Sequence, residues 1–193
     1  MFIEDSTFDD LLNKVFQRLH SGGQVVTASR GRFIELTGVL CKLSNPRSRL
    51  SRSEVKGRPF SCIGELFWYL SGRNDLEFIR YYIPHYAQDA EEDGTLHGAY
   101  GPRLFPAGGP SQIDQIIHAL STKSTTRRAV VQLFSASDIA IGHEYREIPC
   151  TTTLQFLIRS ERLECIVSMR SNDVFKGFPH DVFCFTMIQE MIA

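Results

Sequence analysis

No cysteine spacing in this chain suits a metal site or a disulfide framework. Its five cysteines, Cys41, Cys62, Cys150, Cys165 and Cys184, are scattered, odd in number and free of CxxC or CxxH pairs. That argues against zinc and against a stapled secreted domain, and fits a reducing cytoplasm. Neither sign of charge is in excess: 21 Lys and Arg against 22 Asp and Glu leave a net charge of −1. A polymeric nucleic-acid partner is therefore not expected, whereas small phosphorylated ligands held by local arginines stay open. No apolar run reaches membrane-spanning length, and the acidic N-terminus MFIEDSTFDD lacks the basic segment of a signal peptide. Internal repeats, low-complexity stretches and a clear linker are also missing, so residues 1–193 read as a single domain with ample length for a core.

What is present is an ordinary globular composition, 42% hydrophobic and 22% charged. Phe8, Leu11, Leu12, Val15, Phe16 and Leu19 recur at helical spacing behind a candidate cap, Ser6, and Gly22-Gly23 stops that helix. Residues 24–28 and 33–43 read as strands either side of Arg30-Gly31-Arg32, and 45–56 as a polar, basic loop. Cys62–Leu70 reads as a buried helix ending near Gly72, and 89–110, rich in Gly, Pro and acid, as a loop or surface excursion. A short helix is expected around Ile113–Leu120, strands over 129–134, 152–158 and 163–169, and an apolar helix from Asp181 to the end. The fold class is α+β.

Four features carry chemistry. Cys150 follows Pro149 at a strand start; a lone cysteine is usually a small buried hydrophobe, and it becomes a nucleophile only where positive charge favours the thiolate. Arg170-Ser171 offers a donor fork and a hydroxyl suited to phosphate, followed by a Gly-Phe-Pro turn; a solvated loop would look similar. Arg127-Arg128 opens a strand and reads equally as a surface salt-bridge pair. Glu65, among apolar neighbours, either caps, pairs with a charge, or faces a cavity that tunes it.

Taken in order, these segments resemble the thymidylate synthase family over most of the chain. Glu65-Leu66-Phe67-Trp68-Tyr69-Leu70-Ser71-Gly72 is similar to the segment around that family's catalytic glutamate. Tyr100-Gly101, Ile113-Asp114-Gln115-Ile116, Arg127-Arg128, Pro149-Cys150 and Gln155-Phe156 fall where the family has similar sequences, and the run from Arg170 to Pro179 is the most specific match. The resemblance implies a synthase-like α+β sandwich whose large sheets pack across a homodimer. It implies that the Cys150 thiolate adds to C6 of a pyrimidine nucleotide, so that C5 attacks the one-carbon unit of 5,10-methylenetetrahydrofolate, with no metal. It makes Glu65 the residue that orders water and proton transfers. Arg170 and Ser171 would hold the nucleotide phosphate, with Arg127 and Arg128 arriving from the other subunit and Arg30 from the N-terminal region, Arg32 and Arg47 being rivals. Asp173, Gly177 and Tyr86 would face the folate.

The departures refine the expectation. Asp181 stands where the synthases have an asparagine that reads uracil. A carboxyl that accepts from N4 and shares a proton with N3 suits cytosine instead, as in the family's cytidylate hydroxymethylases, although Asp181 could also simply cap the last helix. Tyr86 stands where the synthases have a tryptophan over the folate, which points to hydration of the intermediate and a 5-hydroxymethyl product. Thr151 replaces a histidine. Relatives continue past position 193, so a truncated chain or a degenerate member is expected. The expected activity is hydroxymethylation of CMP or dCMP. Methylation of a uracil nucleotide and a catalytically silent nucleotide-binding dimer are the alternatives.

Overall fold

Thr7, not Ser6, starts the first helix. In the computed structural model, which describes residues 1–28, 31–52, 59–139 and 144–193, Thr7 has an extended backbone and its Oγ1 accepts from the Asp10 amide at 3.2 Å while donating to Asp10 Oδ2 at 2.6 Å. This reciprocal pairing three residues apart satisfies an orphan amide of α1 (Phe8–Gly22). The described residues form two units, one from Met1–Arg58 with Asp173–Phe183, the other from Pro59–Asn172 with Cys184–Ala193.

In the first unit, β1 (Phe2–Asp5) precedes α1, and β2 (Gln24–Ala28) pairs antiparallel with β3 (Gly31–Glu35). The strand expected over 33–43 is in fact two. It breaks after Glu35, Gly38 takes φ +63°, and β4 (Leu40–Leu43) resumes to pair parallel with β1. Glycine tolerates that left-handed turn, which re-aims the chain towards a new partner strand. Ile3, Leu11 and Val15 form the core of this unit, with Leu19, Cys41, Leu43, Val174 and Phe178 packed on it.

The second unit contains α2 (Pro59–Leu70), α3 (Leu76–Tyr82), α4 (Gly101–Leu104) and α5 (Gln112–Thr122). Its sheet runs β5 (Val130–Gln132), β6 (Thr151–Arg159), β7 (Arg162–Met169), antiparallel throughout. Val131, Leu154 and Phe156 are buried. Two glycines set the helix packing. A β-carbon at Gly64 would fall 2.1 Å from the Tyr82 ring, and one at Gly101 would fall 2.5 Å from the Arg73 carbonyl oxygen. The latter bears on 89–110, expected as a loop or surface excursion: much of it is loop, but it is not all at the surface. Leu96, Ala99, Tyr100 and Leu104 are buried there, because glycine serves close approach as well as turning.

The last helix, α6 (Gly177–Ile192), also starts earlier than expected. Asp173 organises the entry: its Oδ1 accepts from the amides of Phe175 and Lys176 at 2.8 Å each, and its carbonyl from those of Gly177 and Phe178. Pro179 is tolerated because it sits in the first turn. Among the described residues no helix is long and apolar enough to cross a membrane.

One buried ion cluster pins residues 97–103 to residues 133–138. Arg103 grips Asp138 with both terminal guanidinium nitrogens at 2.7 and 2.8 Å, His97 Nε2 lies 2.8 Å from the same carboxylate, and the Ser135 amide donates to it. Burial alone would raise the Asp138 carboxyl, but these donors hold it down to about 2 from its ordinary 3.8. A lowered folded value stabilises above the unfolded value and is lost as pH falls. Roughly 2 kcal/mol of stability should therefore disappear between about pH 4 and pH 2. Urea denaturation of wild type and Asp138→Asn across that range checks it, since the difference between the two should shrink on acidification.

Candidate active site

Glu65 and Cys150 sit at the two ends of a chain of aromatic residues. Glu65 is buried on α2 at 4% exposure, and its Oε1 accepts two phenolic hydroxyls, Tyr69 at 2.9 Å and Tyr86 at 2.6 Å. Of the readings open for this carboxylate, it neither caps nor has a cationic partner among the described ion pairs. It is solvated by phenols. Burial, then the Glu65 charge, pushes both tyrosines well above the ordinary phenol range, so both remain donors at working pH. Tyr86 belongs to a short 3₁₀ turn, Pro84–Gln88, and its ring packs on Trp68, centroids 5.5 Å apart.

Tyr69 packs against Tyr100, centroids 5.1 Å apart, and Tyr100 stacks on Phe185 of α6. The Tyr100 hydroxyl donates to Thr151 Oγ1 at 2.9 Å and accepts from the Thr151 amide at 3.1 Å. Thr151 is fully buried and directly follows Cys150. Tyr69, Tyr100 and Thr151 were not singled out as site residues from sequence. The signal was there as a polar-tipped aromatic one helical turn after Glu65 and as a departure from histidine at 151.

Arg170 closes the other side of Cys150. Its Nε donates to the Pro149 carbonyl at 2.9 Å, one terminal nitrogen donates to the Ile148 carbonyl at 3.0 Å, and that nitrogen is 3.9 Å from Cys150 Sγ. The Arg170 amide also donates to the Cys150 carbonyl at 2.9 Å. A guanidinium in this position is a counter-charge for a thiolate. Burial pushes Cys62 and Cys165 up to about 12 and raises Cys41, while Cys184 is fully buried beside the Cys62 carbonyl. Cys150 is half-buried, with the Arg170 guanidinium beside its sulfur.

Ser171, Arg127 and Arg128 are exposed, and among the described residues neither arginine of the pair makes an ion pair. Arg30 lies outside the described residues; Arg32 and Arg47 are exposed in the first unit. Asp173, Gly177 and Asp181 also belong to the first unit. Asp181 is the fifth residue of α6 and half-buried, so it is no cap. That alternative fails because the helix begins at Gly177. Among the described residues no cluster of His, Cys, Asp or Glu could hold a metal ion.

A family model described as thymidylate synthase matches residues 52–193. A deoxyuridylate hydroxymethyltransferase of Delftia phage PhiW-14 is 30% identical over 183 residues, covering 89% of this chain and 50% of the phage protein. Proteins of the same description from Pseudomonas phage M6 and Bacillus phage SP01 are 31% and 27% identical, covering 73% and 95% of this chain and 40% and 50% of their own lengths. The chain thus spans about half the length of the curated relatives it matches. The structure of a thermostable thymidylate synthase A from Bacillus subtilis superposes with a TM-score of 0.71 at 22% identity, over 97% of this chain and 73% of that one. The fold is that of the synthases.

Proposed function

The chain belongs to the thymidylate synthase family, and from that membership we propose that it transfers a one-carbon unit from methylenetetrahydrofolate to C5 of a pyrimidine nucleoside monophosphate, leaving a 5-hydroxymethyl group. The observation that carries the reading is Cys150, half-buried, with the Arg170 guanidinium 3.9 Å from its sulfur and a phenol-solvated glutamate on the same unit. A thiolate that adds to C6 makes C5 nucleophilic, which is the one task that needs both a cysteine and a carboxylate here. The folate, when bound, supplies carbon at the aldehyde oxidation level. Asp173, exposed with one oxygen already fixed by two amides, has a second oxygen suited to the N–H donors of a pterin, and Gly177 admits close approach of backbone.

Arg170 and Ser171 would bind the phosphate, joined by Arg127 and Arg128 of a partner subunit and by Arg30. The exposed, unbridged state of the arginine pair supports its donation to a second copy. Tyr86, in place of a tryptophan, leaves a polar hydroxyl where hydration would occur.

For the base, Asp181 favours cytosine. A carboxyl accepts from N4 and can share one proton with the basic N3, whereas uracil requires that the carboxyl alone carry it. Uracil is the second reading, favoured by the deoxyuridylate named in the description of the three phage proteins. The test is incubation of the full-length protein with methylenetetrahydrofolate and each of CMP, dCMP, UMP and dUMP, products resolved by mass. A 5-hydroxymethyl product from cytosine nucleotides is expected; the same product from dUMP alone would transfer the activity to uracil, and no turnover would sink the enzyme reading. Asp181→Asn should shift the ratio of cytosine to uracil turnover on the order of 10²-fold towards uracil, since mismatched buried donors and acceptors discriminate strongly.

A further inference from the structure

Glu147 stands three residues before Cys150 and has no role so far. Its carboxylate is seated against Gly98, where a β-carbon would lie 2.8 Å from Oε1, 3.0 Å from Cδ and 3.2 Å from the Ile148 carbonyl carbon, so a larger residue there would displace the carboxylate. Gly98 is two residues from Tyr100, whose hydroxyl reaches Thr151 next to the nucleophile. The backbone that carries Glu147 is held as well, because Arg170 donates to the carbonyls of Ile148 and Pro149. Oε2 is buried. The charge on Glu147 also reaches Tyr86, adding to burial and to Glu65 in keeping that phenol protonated. Tyr86 is therefore addressed by two carboxylates, Glu65 through a 2.6 Å hydrogen bond and Glu147 through its field.

Hydroxymethylation needs two proton acceptors, one for the C5 hydrogen and one for water. We infer that Glu147 is a second catalytic carboxylate, the base that takes a proton from the water adding to the one-carbon unit; this rests on the hydroxymethylation proposed above. After the amine that delivered the carbon has left, the nucleotide carries an exocyclic methylene on C5 and the Cys150 sulfur on C6. The water oxygen bonds to the methylene carbon, its proton passes to Glu147, and the methylene π pair moves towards C4. That pair then forms the C5=C6 bond as the C6–Sγ bond breaks and the thiolate leaves. Glu147 returns its proton to solvent. Water is the sole co-reactant, and nothing is oxidised or reduced.

The experiment measures two rates on the full-length protein: 5-hydroxymethyl formation with methylenetetrahydrofolate, and C5 hydrogen exchange of the same nucleotide without folate. Exchange needs Cys150 addition and C5 protonation but no hydration. In Glu147→Gln, the ratio of product formation to exchange should fall on the order of 10²-fold. Gly98→Ala, which keeps the carboxylate but crowds its seat, should lower the same ratio. A variant that merely unfolds loses both rates together, and such equal loss in both variants overturns the inference, as does a Glu147→Gln enzyme whose ratio of product formation to exchange stays near the wild-type value. A wild-type protein that yields a 5-methyl product, or none, overturns the hydroxymethylation reading itself before any variant is made.

Discussion

Replacing Cys150 by serine should lower product formation by at least about 10⁴-fold and remove C5 exchange, without changing the melting temperature. The size follows from removing the atom that forms the covalent bond, as opposed to one that assists it. A serine hydroxyl in the same place is not ionised near neutrality, and the Arg170 guanidinium, 3.9 Å from the sulfur, is too weak a counter-charge to make it so. Stability should be spared because Cys150 is half-buried and the backbone bonds around it, from Arg170 to residues 148–150, use carbonyl oxygens and not the thiol. Rate measurements on Cys150→Ser beside Cys165→Ser and Cys62→Ser check the assignment. Cys62 and Cys165, both pushed up to about 12 by burial, should tolerate serine catalytically. A Cys150→Ser enzyme with residual exchange near the wild-type rate would move the chemistry elsewhere.

The elements legible in the sequence are those that local pattern alone determines. β2 falls on its expected residues, and β6 and β7 differ by a residue or two at their ends; in β7 half-buried and exposed positions alternate throughout. The misses share a cause: tertiary contacts decide them. Ser6 and Thr7 are equivalent as caps on paper, and Asp10 settles the choice, its amide donating to Thr7 Oγ1 and its Oδ2 accepting from that hydroxyl. The burial of Leu96–Leu104 depends on Gly101 lying against the Arg73 backbone, 28 residues away in sequence, which no local pattern records. For the site, Cys150, Glu65 and Arg170 were visible as unusual residues in context. What links them, the Tyr69–Tyr100–Thr151 path and the double use of Glu65 Oε1, needs side chains from α2, the 3₁₀ turn, the residue before α4 and β6 brought together. Asp181 shows the converse case. Its position in the sequence allowed a cap, and only the start of α6 at Gly177 removes that possibility.

Glu65 should separate catalysis from stability. In Glu65→Gln the carboxamide oxygen can still accept from Tyr69 and Tyr86, so the buried network keeps its acceptor while the charge is lost. Exchange at C5 and product formation should both fall by about 10²- to 10³-fold, the range of a positioned acid–base group. The melting temperature should hold or rise, since a buried carboxylate without a cationic partner among the described residues costs desolvation that the amide does not. Glu65→Ala should behave differently. It leaves two buried phenolic hydroxyls without their acceptor, at roughly 1–3 kcal/mol for each, and so should lower both activity and stability. Thermal melts and exchange rates for the two variants are enough to check this. If Glu65→Gln exchanged C5 hydrogen at close to the wild-type rate, the phenol-bound carboxylate would be a packing device for Tyr69 and Tyr86, and the proton transfers would have to be assigned to another group on the same unit.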